Sequence, residues 1–133
     1  MEQKVVIASG PVIVKDGKLL LDKDEKDDFW KFIGGRVKED ESLEGTCIRR
    51  AKEELNAEVE IVKPLNPLIL WENPQTKEKM QIVLINWLCN LKNPEELKCK
   101  EGIKEFAWIA IQDIKSEKIG VSPNVKTLIE KEF

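Results

Sequence analysis

The chain has 133 residues and carries 22 basic against 25 acidic side chains, a formal net charge of −3. That length suits one domain built on one core, over residues 1–133. So small a charge excludes a strong pull toward nucleic acid polymers or anionic membranes.

The chain contains no His, and its three cysteines, Cys47, Cys89 and Cys99, show no paired spacing. The usual transition-metal ligand and the usual neutral-pH base are therefore missing. A metal here would be a hard ion held by carboxylates, and a base would be a carboxylate, a lysine or metal-bound water. The cysteine usage points to a reduced, cytoplasmic setting. No charged-then-apolar leader and no apolar run of membrane-spanning length is present, so neither a signal segment nor a membrane helix is expected.

Lys4 to Val14 is rich in Val and Ile and reads as a strand. Asp16-Gly17 predicts a hairpin turn, because both residues accept positive φ. Lys18 to Leu21 is the return strand, and Leu19 and Leu21 alternate with Leu20, which predicts cover on both faces. Asp22 to Asp28 is charge-dense and reads as an exposed loop. Phe29 to Ile33 predicts a short aromatic strand leading to Gly34 and Gly35, where backbone can approach a strand or a phosphate closely.

A helix is predicted from about Ser42 to Leu55, with Asp40 and Ser42 as candidate N-caps. Leu43, Cys47, Ile48, Ala51 and Leu55 fall on one apolar face at helical spacing. Cys47 therefore reads as core. Arg49, Arg50, Glu53 and Glu54 line the edges and the opposite side. Gly45, in the second turn, costs roughly 1 kcal/mol relative to Ala and implies a close contact across its face. The adjacent carboxylates of Glu53 and Glu54 point about 100° apart. They flank a cation pocket where the helix meets the preceding loop, or form part of a plain solvated face.

Glu58 to Trp71 reads as strand broken by Pro64 and Pro67, and Asn73 to Lys79 as a turn. Gln81 to Leu91, with Asn86 in its middle, is apolar on both sides and belongs centrally in a sheet. Asn93 to Glu96 is a loop and Ile111 to Ile114 a helical turn. Ser122-Pro123 opens a last helix with Val125, Leu128, Ile129 and Phe133 on one face. Trp30, Trp71 and Trp87 are candidates for stacking on a base, set against the alternative that most are core.

The spacing of Gly35, Glu41, Arg49, Ala51, Glu53, Glu54 and Ala57 resembles the Nudix box of the Nudix hydrolases. Trp30, Phe32, Gly34 and Gly35 resemble the family's W-x-F-P-G-G lead-in, with Ile33 where Pro is usual. The resemblance implies an α/β (α+β) fold, an α/β/α sandwich around a mixed sheet. It implies hydrolysis of a nucleoside diphosphate linked to another moiety, with Mg²⁺ or Mn²⁺. Glu53 and Glu54 would hold the metal, and Arg49 would brace Glu41. Glu101 would be a further ligand or the base. Gly34, Gly35, Arg50 and Trp30 would contact substrate, and Glu105 and Trp108 resemble an acidic loop and a strand ending in a buried Trp. The implied partner is a small nucleotide, with no nucleic acid polymer and no membrane, bound by a monomer or a homodimer.

Two positions depart from the box. Asn56 replaces the last Gly, a mild change because Asn tolerates the left-handed conformation of a helix C′ position. Arg50 replaces a Glu that in many members is a metal ligand or base. It puts a cation beside Glu53 and Glu54, its i+3 and i+4 neighbours, and so is expected to weaken metal binding. The alternative reading is therefore a nucleotide-binding or regulatory module with weak catalysis or none.

Overall fold

In the computed structural model, which describes residues 4–133, the chain opens with a hairpin. Strand β1 (Val5–Lys15) turns at Asp16 and Gly17, with φ of 53° and 73°, into β2 (Lys18–Asp24). There follow β3 (Gly35–Arg36), α1 (Leu43–Leu55), β4 (Val59–Pro64), β5 (Leu68–Glu72) and β6 (Lys79–Leu91). A 3₁₀ turn (Pro94–Glu96), β7 (Ile103–Ala110), α2 (Ile111–Lys115) and α3 (Pro123–Glu132) complete the described chain. Pro64 ends β4, and Pro67 precedes β5, as the sequence suggested.

The strands form one sheet in the order β4-β6-β1-β2-β7, with β3 paired to β1 and β5 to β6. β6 is central. It runs parallel to β1 in register from Val5↔Gln81 to Ile13↔Cys89 and antiparallel to β4 and β5. The other pairs are antiparallel, so the sheet is mixed.

Alternating side chains enter two separate cores. Ile13, Leu20 and Cys89 pack with Cys47, Ala51 and Leu55 of α1 on one face. Val12, Leu19 and Leu21 pack with Ile114 of α2 and Val125, Leu128 and Ile129 of α3 on the other. Leu19, Leu20 and Leu21 are at most 1% exposed, so this short strand is covered on both sides. The expected α/β/α sandwich results. No described helix is long and apolar enough to cross a membrane.

Helix α1 begins at Ser42, whose Oγ accepts from the Gly45 N–H at 2.9 Å. Asn56 closes it in the left-handed region at φ 56°, and the Ala57 N–H reaches the Ala51 carbonyl. The close contact at Gly45 is with this cap: a Cβ there would lie 3.0 Å from Ser42 Oγ, not against a neighbouring element. Cys47 and Cys89 are free, buried and face each other with sulfurs 3.8 Å apart, a proximity with no trace in their spacing. Their mutual hydrogen bond and burial push the Cys47 thiol well above its ordinary pKa, which keeps it inert.

Five expectations are corrected. Ile48 is 49% exposed, because the buried stripe of α1 is narrower than its apolar residues. Phe29 to Ile33 is not a strand. Its backbone makes single bridges, Lys31 to Asp22 and Trp30 to Val121, before Gly34 turns the chain away. Trp108 is half-buried, and Phe133, at the chain end, is exposed. Asp22 belongs to β2 and is fully buried rather than part of an exposed loop.

Candidate active site

The site is assembled where the Gly34 turn crosses the C-terminal half of α1. The Gly34 N–H donates to Glu54 Oε2 at 2.8 Å, and the Gly34 carbonyl accepts from Arg50 Nε at 3.3 Å. Gly34 lies at φ 154°, and a Cβ there would come within 3.0 Å of the Ser9 carbonyl. At Gly35 a Cβ would lie 2.5 Å from Arg50 Nε. These two glycines therefore let the strand and Arg50 close in; the room at Gly35 is taken by a side chain of the protein itself.

Glu54 is fully buried and each of its oxygens is engaged. Oε1 accepts from Lys31 Nζ at 3.0 Å, and Oε2 takes the Gly34 N–H and lies 3.1 Å from Arg50 Nη2. Lys31 also donates to Asp22 Oδ1 at 2.8 Å and lies 3.4 Å from Asp24 Oδ1. Glu53 Oε1 accepts from Arg49 Nη1 at 2.5 Å and from Arg50 Nη1 at 3.0 Å. Arg50 Nη1 also donates to Glu101 Oε2 at 3.1 Å, which brings the loop before β7 over the helix.

Arg49 grips Glu41 through two parallel bonds, at 2.7 and 3.0 Å, and donates to the Arg36 carbonyl. Such a fork is a strong, geometrically specific contact. The hydrogen bond from Arg49, with that from Thr46, holds the Glu41 carboxyl down to about 2. The pair ties the loop after β3 to α1. For Glu53, burial works upward, but bonds and charge from Arg50 and Arg49 hold its carboxyl below the ordinary range.

Two cavities adjoin at this turn and share Lys31, Phe32, Gly34 and Gln75. The charged one, about 620 Å³, is bordered by Asp24, Arg50, Glu54 and Glu101. The other, about 300 Å³, is walled by Phe29, Phe32, Leu70 and Leu84. Asn86 and Ser122 also line it; they are 4% and 3% exposed, and Asn86 Nδ2 and Ser122 Oγ have no hydrogen-bond partner. Trp30 lines neither cavity. Its ring packs toward the α3 core with Lys23 Nζ 4.7 Å above it, while Phe29 and Phe32 take the walls. Trp71 is 60% exposed and Trp87 is half-buried with its N–H on Ser9 Oγ.

Glu53, Glu54 and Glu101 are brought together, and the group they meet on is Arg50. Among the described residues no group of three or more acidic or Cys side chains is arranged to hold a metal ion. The donor set is of the right chemistry for Mg²⁺ or Mn²⁺. In this arrangement, however, its oxygens are taken by guanidinium and ammonium groups, so the residues do not fit a bound ion.

Sequence reasoning missed Asp22, Lys31, Asn86 and Ser122. The first had a readable signal: Asp22 shares the parity of Leu20 on β2, so it points to the α1 side. Burial and the Glu54 carboxylate push Asp22 up to about 8, against the pull of Lys31. An acid whose folded pKa is raised favours folding when protonated. Its penalty is nil below the ordinary aspartate value of 3.8, grows as pH rises, and is complete above about 8. The melting temperature of Asp22→Asn should therefore fall less than wild type across that window. At pH 9 the variant should melt higher, by about 2–8 °C for each kcal/mol of relief. Equal slopes for the two proteins would refute this.

The comparisons bear on the family and the fold. The family model described as "NUDIX domain" matches residues 4–130. No curated protein matches the chain. Among solved structures, the MutT protein from Methanosarcina mazei Go1 superposes with a TM-score of 0.83 at 17% identity, covering 98% of this chain and 94% of that one. A MutT NUDIX hydrolase from Burkholderia pseudomallei gives 0.82 at 20% identity, covering 98% and 100%. A C. elegans Ap4A hydrolase gives 0.75 at 24%, covering 95% and 93%. At such identities these likenesses speak for the fold alone. The family match spans nearly the whole chain and includes the box whose side chains build the site, and on that match the chain belongs to the Nudix hydrolase family.

Proposed function

We propose that this protein hydrolyses the pyrophosphate linkage of a small nucleotide, a nucleoside diphosphate carrying a further group or a nucleoside triphosphate. The observation that carries this reading is the pair of adjoining cavities. A charged cleft with Lys31 and Arg50 suits a phosphate chain, and an apolar pocket with two unpartnered polar atoms suits a ring.

In this reading Arg50 and Lys31 neutralise phosphate oxygens as charge develops on them. Gly34 keeps the backbone low enough for that approach. Glu53 is a poor base, because two arginines stabilise its charged form. Glu101 leaves Oε1 free at the cleft edge and takes the proton of the attacking water. Arg49 and Glu41 position the helix and touch no reacting atom. No step is assigned to Mg²⁺ or Mn²⁺, since the oxygens implied for it are occupied. A second reading, a nucleotide-binding module with little turnover, is favoured by the place of Arg50 among those oxygens.

Release of phosphate or pyrophosphate from a panel of nucleotides, with and without Mg²⁺ or Mn²⁺, tests the proposal. Binding without turnover anywhere in the panel would select the second reading. Asn86→Ala should raise KM for the preferred nucleotide about tenfold or more, with a smaller change in kcat, because an acceptor on the bound ring loses the buried Asn86 amide donor. An unchanged KM would remove the ring from that pocket.

A further inference from the structure

We infer that the Arg50 guanidinium is a built-in cation occupying the oxygen cradle of the box helix, so that the protein alone binds no divalent ion there. The cradle has four oxygen-bearing groups. Arg50 Nε faces the Gly34 carbonyl at 3.3 Å, and Nη1 faces Glu53 at 3.0 Å and Glu101 at 3.1 Å. Nη2 faces Glu54 at 3.1 Å. One backbone carbonyl and three carboxylates, drawn from the Gly34 turn, the helix and the loop before β7, make a donor set for a hard cation. A planar guanidinium with five N–H donors satisfies all four at once.

Two further features fix the guanidinium in place. Gly35 leaves open the volume that Arg50 fills, since a Cβ there would lie 2.5 Å from Nε. Lys31 neutralises the remaining oxygen of Glu54 from the other side. A divalent ion would have to displace Arg50 from four oxygen partners and leave its charge unpaired against the ion. Such an ion would have to arrive on the phosphates of a ligand rather than wait in the free protein. The inference concerns the protein without nucleotide and stands apart from the pyrophosphohydrolase reading.

The test is Mn²⁺ binding to nucleotide-free protein, read from the electron paramagnetic resonance signal of the free ion. Wild type should leave the signal intact at micromolar Mn²⁺. Arg50→Gln should bind one equivalent about tenfold tighter or more, and Arg50→Glu tighter still, because negative charge and an oxygen ligand are added. Glu101→Gln should leave the free-Mn²⁺ signal as intact as in wild type and should weaken Mn²⁺ binding in the Arg50→Gln background. One tightly held Mn²⁺ per wild-type molecule, lost in Glu53→Gln, overturns the inference whether or not the Arg50 variants fold. Equal affinity of folded Arg50→Gln and wild type also overturns it.

Discussion

Replacing Glu54 with Ala is expected to destabilise the protein by roughly 3–5 kcal/mol, the range found when one partner of a buried ion pair is removed. The carboxylate is fully buried and collects Lys31, Arg50 and the Gly34 N–H. Removing it leaves Lys31 with Asp22 and Asp24 in a pocket built for one more negative charge, and it leaves the half-buried Gly34 N–H without its acceptor. The turn at Gly34 loses its anchor on α1, and displacement of about 1 Å at such a point can cost on the order of 10²-fold in turnover. Urea denaturation and nucleotide hydrolysis measure the two effects separately. In the double variant Glu54→Ala/Lys31→Met the losses should not add, with a coupling of about 0.5–3 kcal/mol. Strict additivity, or a loss below about 1 kcal/mol in Glu54→Ala, would show that the pair is not a buried unit.

Much of this arrangement can be read from local pattern. The box helix has its cap at Ser42, its left-handed end at Asn56 and its apolar stripe at the spacing that a helix requires. The buried run Leu19 to Leu21 declares a sheet covered on both faces, and the alternation of Val12 and Ile13 agrees with it. What is not legible depends on which distant groups meet. Lys31 looks like an ordinary surface lysine in a charged neighbourhood; only the crossing of the Gly34 turn over α1 makes it the partner of Glu54. Trp30 and Phe32 are equally aromatic, and composition cannot say which ring faces the cavity. Asn86 reads as an interruption in an apolar strand, whereas in the fold it lines a pocket with an unpaired amide. Arg50 was legible as a cation near two carboxylates, but Glu101 and the Gly34 carbonyl joined it only through tertiary contacts.

Gly10→Ala should be the other severe substitution, and nothing in the neighbouring sequence announces it. Gly10 lies inside β1, opposite Asn86 on β6, in ordinary extended register. A Cβ there would fall 2.1 Å from the Ile33 carbonyl oxygen and 2.7 Å from Gly34 Cα, both backbone atoms that no rotamer change can move. The strand or the turn must shift, and the turn is what holds Glu54 through its N–H and Arg50 through its carbonyl. A loss of about 3 kcal/mol, at the upper end of the overpacking range, is expected, together with weakened hydrolysis. Gly120→Ala is the matched control. It has nothing within 4 Å of the added carbon and no positive φ. It should be neutral or gain up to about 1 kcal/mol from a less flexible unfolded chain. The same chemical change is thus predicted to act in opposite directions at two glycines, and thermal melts of both variants decide it. A Gly10→Ala protein as stable as Gly120→Ala would mean that β1 and the Gly34 turn are not in contact, and the site built on that contact would have to be redrawn.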